Sequence, residues 1–266
     1  MKIVTWNLSN RKANQQAWEA LFELDPDIAL LSEVNFIPDD LNGYNSYFEY
    51  SMGDKDKPRN FKTGIITKGK IVDEIPLIAQ EDWITNCLGN DTGNLVARKI
   101  RFADGITYNV ISAYLANTPY PHEKYTDDIT SVVLPNFEKI FMSEILWAVL
   151  KHILSHHRDP WIIGGDFNTS ELYGTRKERA SYLEIIKRLE RLKLKEVVRH
   201  YNNGPVPTWK SRYPNSKLIH QLDHLYVSDV LLENSYNAYV GDYKKYVGNG
   251  LSDHMPIIAD FLNSRL

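Results

Sequence analysis

Apolar, strand-like runs that end in acidic or amide residues recur far apart in this chain of 266 residues. Residues 28–34 carry Glu33 near their end, and residues 161–165 lead into Asp166 and Asn168. A carboxylate is costly in a buried strand unless it is paired or bound to a metal. Strand and helix patterns with polar groups gathered at strand ends indicate a sheet covered by helices.

The N-terminal part of the chain has the pattern strand, helix, strand. Residues 2–8 and 28–34 resemble buried strands, and residues 10–24 carry apolar side chains at helical spacing. From residue 44 to residue 114 the pattern changes to strands joined by turns, with Asp104-Gly105 as a hairpin signal. The later pattern predicts helices over residues 134–157 and 177–198, and strands over residues 222–227 and 253–261.

No linker or short-period repeat divides the sequence, so we expect one domain over residues 1–266. Because hairpins dominate the middle of the chain, the predicted fold class is α+β. We expect two sheets packed face to face with helices outside, rather than a doubly wound parallel sheet.

Composition and charge favour a cytoplasmic protein without a membrane segment. Cys87 is the single cysteine, so no intramolecular disulfide can form, and the N-terminus carries no apolar export segment. The net charge is −3, but residues 176–217 contain twelve Lys or Arg against four Glu, a local charge of +8. That block is either the solvated face of a helix or a surface that steers a phosphate-bearing polymer.

Three polar clusters could carry chemistry. Asp166 and Asn168 are two residues apart, so on an extended segment both side chains leave one face; alternatively, Asn168 caps the next helix. Asp223, expected to end a strand, is the natural partner for the imidazole of His254. The alternative for His254 is a turn in which a backbone carbonyl satisfies the ring.

Glu33 and Asn7 end neighbouring strand-like runs and suit a hard cation. Mg²⁺ binds through one or two carboxylates together with water and substrate phosphate, and Mn²⁺ uses similar oxygen ligands. No Gly-x-Ser-x-Gly elbow and no Gly-rich phosphate loop is present. The pattern therefore favours metal-assisted attack of water on a phosphoester.

The order of these motifs resembles the endonuclease/exonuclease/phosphatase superfamily of metal-dependent phosphodiesterases. The motifs are Thr5-Trp6-Asn7, Leu31-Ser32-Glu33, Gly164-Gly165-Asp166-Phe167-Asn168, Leu222-Asp223 and Ser252-Asp253-His254. The resemblance implies a four-layer α/β/β/α sandwich of two mixed β-sheets flanked by helices. It also implies a divalent-metal-dependent phosphodiester hydrolase, with a nuclease expected first.

The resemblance also implies a role for each motif residue. Glu33 is similar to the principal metal ligand of the superfamily, with Asn7 and Asp253 beside it. Asp166 would position or deprotonate the attacking water, and Asn168 would hold a phosphoryl oxygen or the Asp166 carboxylate. His254, oriented by Asp223, would bind the scissile phosphate and stabilise the transition state.

Tyr114 and Asn117 are similar to phosphate-contacting residues of the exonuclease III and apurinic-endonuclease branch. The alternative for Tyr114 is a core aromatic residue. That repair branch usually has a carboxylate where this chain has Ser9, and Gln and Lys around the metal glutamate where this chain has Ser32 and Asn35. Abasic-site specificity is therefore not implied.

Nucleic acid is the expected substrate, and Trp209 and Arg212 are expected near the rim of the site, for base stacking and phosphate contact. Ordinary loop packing is the alternative for both. Two other functions compete with a nuclease: a phosphatase or phosphodiesterase for a small or lipid phosphoester, and a binding module without activity. Turnover of inositol phosphates, nucleotides and DNA distinguishes them.

Overall fold

A computed structural model of the protein describes residues 1–11, 14–53, 57–89, 92–120, 128–135, 137–156, 158–173, 176–211, 213 and 215–262. The strands are β1 (Lys2–Asn7), β2 (Ile28–Val34), β3 (Asn45–Met52), β4 (Pro58–Thr67), β5 (Lys70–Glu74), β6 (Leu95–Arg101), β7 (Thr107–Tyr114), β8 (Trp161–Asp166), β9 (Leu194–Glu196), β10 (Asp223–Ser228), β11 (Ser235–Val240) and β12 (Ile257–Phe261). The helices are α1 (Gln15–Glu23), α2 (Asp82–Gly89), α3 (Met142–Ile153), α4 (Arg176–Arg191), α5 (Val197–Asn202) and α6 (Asp229–Leu232).

The strands form two six-stranded sheets. The first sheet has the order β11-β12-β1-β2-β4-β3, and the second has the order β5-β6-β7-β8-β10-β9. The pairs β1–β2 and β7–β8 are parallel, and the other neighbours are antiparallel. Both sheets are therefore mixed, as the resemblance implied.

Strand β2 shows why the chain forms layers. Ala29 and Leu31 pack with α1 on the outer face of the first sheet, whereas Ile28 and Leu30 point into the core between the sheets. A strand that is buried on both faces has a continuous apolar sequence, and β2 has that composition.

The outer face of the second sheet is covered by α3. Ile145 and Val149 of this helix pack against Ile111 of β7 and Ile163 of β8. Together with α1 on the first sheet, this arrangement gives four layers and confirms the predicted α/β/β/α sandwich.

Two predicted helices have the wrong bounds. The helix expected over residues 134–157 is α3, which begins only at Met142, because the Ile140 carbonyl accepts the backbone N–H of Tyr120 at 2.8 Å. The helix expected over residues 177–198 ends at Arg191 and is followed by β9 and α5. Tertiary contacts override helical spacing in both segments.

The pattern did not delimit the outermost strands of the two sheets, which are β3, β5, β9 and β11. Residues of β3 and β5 are mostly exposed or half-buried, so their sequences lack the apolar alternation that identifies a strand. Strand β9 has three residues. No helix in the described part of the chain is both long and apolar enough to cross a bilayer.

Candidate active site

The polar strand ends meet at one edge of the sandwich. Asn7 ends β1 and lies opposite Ser32 of the parallel strand β2, immediately before Glu33. In the second sheet, Asp166 ends β8 and lies opposite both Tyr114 and Asp223. Asp223 begins β10 rather than ending a strand, but β10 is antiparallel to β8, so its start lies at the same edge.

Asn7 joins the two sheets. Its Nδ2 donates to Asp166 Oδ2 at 2.8 Å and to Glu33 Oε1 at 3.1 Å, while its Oδ1 accepts the Ser9 backbone N–H at 2.7 Å. Asn7 and Asp166 are almost fully buried. Since a buried amide between two carboxylates fixes their separation, Asn7 sets the spacing of Glu33 and Asp166.

Asn168 supports the Asp166 carboxylate directly. Its backbone N–H donates to Oδ1 at 2.8 Å and its Nδ2 donates to Oδ2 at 3.1 Å. The Asn168 φ angle of 48° shows that the strand has ended, so the two side chains meet through a turn and not on an extended segment. The next described helix, α4, begins eight residues later, so Asn168 is not its cap.

Backbone geometry at this edge is unusual at two further positions. Gly165 has φ 145°, and a Cβ added there would lie 1.8 Å from the Ala113 carbonyl oxygen, so only glycine fits. Glu33 has φ 51° in a β-bulge between Leu31 and Val34. Such bulges redirect a side chain at the rim of a sheet.

His254 and Asp223 form a buried pair. Nδ1 of His254 lies 2.7 Å from Asp223 Oδ2, and the His254 carbonyl accepts the indole N–H of Trp6 at 3.0 Å. Burial opposes protonation of the ring, but the carboxylates of Asp223 and then Asp166 outweigh it and raise the pKa of His254 to about 10. The ring is therefore an imidazolium at neutral pH, with Nε2 available as a donor.

The pKa values of two carboxylates at this edge, Asp166 and Glu33, are raised. Burial raises the pKa of Asp166 to about 7, and the charges of Asp223 and Glu33 act in the same direction against the opposing charge of His254. Burial also raises the pKa of Glu33. A carboxylate with a pKa near neutrality suits a general base.

Tyr114 is buried beside these acids. Its ring packs edge-on against Phe61 with centroids 5.1 Å apart. Burial, followed by the charges of Glu33 and Asp166, raises the pKa of its hydroxyl, so Tyr114 is a neutral hydrogen-bond donor at the site. This position fits phosphate contact as well as aromatic packing.

A small cleft adjoins the Asp166 turn. Asn117 and Asn168 line it together with aromatic side chains, among them Tyr173 and Tyr182. Asn117 is exposed and Asn168 is half-buried. The cleft thus combines amide groups with ring faces.

Trp209 and Asp253 lie on either side of His254. The Trp209 ring centroid is 6.4 Å from that of His254, and the Lys210 backbone N–H donates to the Asp253 carbonyl at 2.9 Å. Asp253 is half-buried, and its charge raises the pKa values of both Glu33 and His254. Arg212, predicted at the same rim, lies outside the described residues.

A family model described as the Endonuclease/Exonuclease/phosphatase family matches residues 4–254. The chain belongs to this family. The match confirms the predicted superfamily, and members of the family hydrolyse phosphoesters, so the prediction of a phosphoester hydrolase is confirmed as a class. No curated protein sequence gives a significant match.

Solved structures of the Endonuclease/Exonuclease/phosphatase fold agree with the sandwich. An AP endonuclease from Archaeoglobus fulgidus is 20% identical, with a TM-score of 0.68 over 98% of this chain and 99% of that chain. A 3'-5' exonuclease from Neisseria meningitidis is 18% identical, with a TM-score of 0.67 over the same shares of the two chains. A 3' phosphatase from Neisseria bound to product DNA hairpin is 17% identical, with a TM-score of 0.65 and again 98% and 99% coverage.

Metal dependence is typical of the family, and the site offers carboxylate and amide oxygens as donors for a cation. The described residues contain no group of three or more His, Cys, Asp and Glu side chains arranged to hold a metal ion. Mg²⁺ does not need such a cage, because it binds through one or two carboxylates, water and substrate phosphate. A cation at Glu33 would also relieve the mutual repulsion of the buried acids. The residues therefore fit a hard divalent ion.

Two supporting side chains were not predicted. Ser252 Oγ donates to the Asn7 carbonyl at 2.7 Å and accepts the His254 backbone N–H at 3.0 Å, so it links two site residues. Thr208 Oγ1 accepts the backbone N–H groups of Leu222 and Asp223, each at 3.0 Å. Ser252 belongs to the Ser252-Asp253-His254 motif, which was a usable signal, whereas nothing in the sequence singles out Thr208.

Proposed function

We propose that this protein is a divalent-metal-dependent phosphodiesterase that cleaves nucleic acid by attack of water. The observation that carries the proposal is the hydrogen-bonded link from Glu33 through Asn7 to Asp166, beside the His254–Asp223 pair. Carboxylates and an imidazolium at one edge provide a base for water and a cation for phosphoryl oxygens.

Asp166 orients the attacking water and accepts its proton. The N–H groups of Asn168 and the amide of Asn7 hold the carboxylate in one orientation, which favours a fixed water position. Its pKa of about 7 lets it be largely ionised just above neutrality and still basic enough to take a proton.

His254 stabilises negative charge on the phosphoryl oxygens. Asp223 accepts the Nδ1–H, which leaves Nε2–H as the donor toward substrate. Because the pair is buried, this charge acts at low effective dielectric and is strong at short range. The Tyr114 hydroxyl and the Asn117 and Asn168 amides add neutral donors for the same phosphate.

Glu33 is the principal ligand for Mg²⁺ or Mn²⁺ in this proposal, with Asp253 and Asn7 beside it. An ion held by these residues would supply Lewis-acid polarisation of a phosphoryl oxygen and positive charge near the leaving oxygen. Asn7 Nδ2 donates to Glu33 and holds this ligand in place. Asn7 has this supporting role although its amide oxygen already accepts the Ser9 backbone N–H.

A nucleic-acid substrate is supported by charge, by aromatic side chains and by the fold relatives. The basic block of residues 176–217 suits phosphate contacts. The rings of Trp209, His220 and Tyr173 follow one another, with centroids 6.3 Å and 4.4 Å apart, and can stack with bases. The AP endonuclease and the DNA-bound phosphatase described above act on or bind DNA, which makes DNA the first polymer to test.

Hydrolysis of single- and double-stranded oligonucleotides with Mg²⁺, with Mn²⁺ and with EDTA tests the proposal. We expect metal-dependent cleavage, and we expect Asp166→Asn to lower kcat by about 100-fold or more. The matched control is Asp73→Asn, which makes the same change at an exposed residue of β5. Cleavage at the same rate by Asp166→Asn and wild type would reject the role of Asp166.

A phosphatase acting on a small phosphoester is the second candidate. The cleft beside the Asp166 turn combines amide groups with ring faces, which can hold the phosphate and the organic part of a small phosphoester. Turnover of nucleoside monophosphates, inositol phosphates and oligonucleotides under one condition separates the candidates. Faster turnover of a monomer than of any oligonucleotide would favour the phosphatase.

We further propose a single domain over residues 1–266 in the cytoplasm. The lone Cys87 is buried, which suits a reducing compartment. Limited proteolysis tests the single domain, because separate domains would give stable fragments.

A further inference from the structure

An arginine outside the family motifs lies beside the candidate active site. Strand β4 pairs with β2 at Val34–Lys62, so its first residues extend past Glu33 along the same edge. The guanidinium carbon of Arg59 lies 5.7 Å from the ring centroids of both Phe61 and Tyr114. The rings of Phe61 and Tyr114 therefore hold this cation beside the candidate active site.

The Arg59 guanidinium retains donors for a ligand. Its Nε donates to the Met52 carbonyl at 3.3 Å, and within the described residues no carboxylate pairs with it. Arg199, by contrast, forms an ion pair with Glu171 at 2.8 Å. An arginine that packs against aromatic rings and has no carboxylate partner in the described part of the chain is suited to bind an anion from solution.

A network of asparagines fixes this part of β4 to the metal-ligand loop. Asn35 Nδ2 donates to the Asn60 carbonyl at 2.9 Å and to Asn10 Oδ1 at 2.7 Å. Asn10 Nδ2 donates to Asn60 Oδ1 at 3.1 Å. Asn60 follows Arg59 and Asn35 follows Glu33 by two residues, so the position of the arginine is coupled to that of the site.

We propose that Arg59 binds a non-scissile phosphate of a polymeric substrate, next to the phosphate held by His254. The guanidinium contacts the ring of Tyr114 and forms no ion pair with Glu33. It therefore lies beside the proposed reacting centre without pairing with the metal-ligand carboxylate. A mononucleotide has no second phosphodiester for this position. Arg59 thus makes the enzyme prefer a strand over a monomer, an inference that rests on the proposed nuclease function.

The first test uses oligonucleotides in which one phosphate at a time is replaced by a neutral methylphosphonate. We expect wild-type kcat/KM with Mg²⁺ to fall about tenfold or more at one non-scissile position. Arg59→Gln should show a similar loss on unmodified strands and no further loss at that position. Arg101→Gln, which removes an exposed arginine at the far end of β6, is the matched control and should behave as wild type. Equal sensitivity of Arg59→Gln and wild type at every position would overturn the proposal.

A second measurement separates phosphate binding from damage to the Phe61–Tyr114 packing. In an Asp166→Asn background, the slope of log Kd against log salt should fall by about 0.7 to 0.9 with Arg59→Gln, and Arg59→Lys should restore it. Weaker binding with an unchanged slope would show a packing role and contradict the proposal.

Failure of the nuclease function would look different. Wild-type protein would then cleave no oligonucleotide with Mg²⁺ or Mn²⁺. The salt slope would still decide whether Arg59 contacts a strand phosphate, because it measures binding and not turnover.

Discussion

Two Asp-His dipeptides in this chain contain histidines whose pKa values shift in opposite directions. His224 follows Asp223 and His254 follows Asp253, and both imidazoles are buried to the same extent, each 4% exposed. The pKa of His254 is raised to about 10, whereas burial lowers the pKa of His224 to about 4. The same dipeptide therefore gives a cation in one place and a neutral ring in the other.

The partners of the two rings explain the difference. His254 Nδ1 faces the Asp223 carboxylate at 2.7 Å, and a buried carboxylate favours the protonated ring. His224 contacts neutral groups, with Nδ1 3.2 Å from the Gln221 amide nitrogen and Nε2 3.2 Å from the Thr169 carbonyl. Desolvation outweighs the hydrogen bond to Thr169 and the charge of Asp223, so the ring stays neutral. An Asp-His motif alone therefore does not assign a histidine to catalysis. The group that accepts the ring N–H, a carboxylate for His254 and a carbonyl for His224, distinguishes the two.

The largest expected effect comes from removing the Asp223 carboxylate charge, which distinguishes the surroundings of His254 from those of His224. We expect Asp223→Asn to lower kcat on an oligonucleotide by about 1,000-fold, because His254 loses the carboxylate that orients and charges it. His224→Gln should cost far less activity, since His224 contacts no proposed substrate group. Steady-state kinetics of both variants with Mg²⁺ test the contrast, and equal losses would remove it.

A smaller effect is expected in the pH dependence of stability. The folded-state pKa of His224 is about 4 against an ordinary value of 6.5, so the unfolded chain binds more protons between these values. The free energy of unfolding should therefore fall as pH drops from 6.5 to 4, by about 3 kcal/mol from this residue. Urea unfolding at several pH values should show a shallower fall for His224→Gln than for wild type. Parallel curves would mean that His224 does not titrate as described.

The smallest effect concerns the hydroxyl that connects His254 to the first sheet. Ser252→Ala removes one hydrogen bond to the Asn7 carbonyl and one from the His254 backbone. We expect a loss of about 1 kcal/mol in unfolding free energy and a drop in kcat of a few fold. Thermal unfolding and kinetics of this variant measure both. A drop in kcat as large as that of Asp223→Asn would indicate that Ser252 acts directly on substrate.

Prediction from the sequence succeeded where burial imposes a pattern. Strand β2 was predicted with its observed bounds, because both of its faces are buried and its sequence begins with the apolar run from Ile28 to Leu31. The start of α3 could not be predicted, since the bond between Ile140 and Tyr120 joins distant segments. The exposed edge strands β3 and β5 gave no periodic signal. Their residues are mostly exposed or half-buried, so neither strand requires a regular run of apolar side chains.

The motif residues themselves were predictable, but their contacts were not. Sequence alone identified Asp166 and Asn168, yet the turn that brings them together depends on a left-handed residue and on Gly165. Nothing in the sequence indicated that the Asn7 amide would connect Glu33 to Asp166, or that Thr208 would anchor Asp223. These bonds cross between sheets or loops.

The sequence by itself determined the layered α+β architecture, the family and the chemical types of the site residues, because apolar periodicity and short motifs are local properties of a chain. Only the tertiary structure decided which histidine is charged, which buried carboxylates lie together at one edge, and which arginine beside them has no carboxylate partner among the described residues. Protonation and pairing depend on distances between residues far apart in the sequence, and on how little water remains around them.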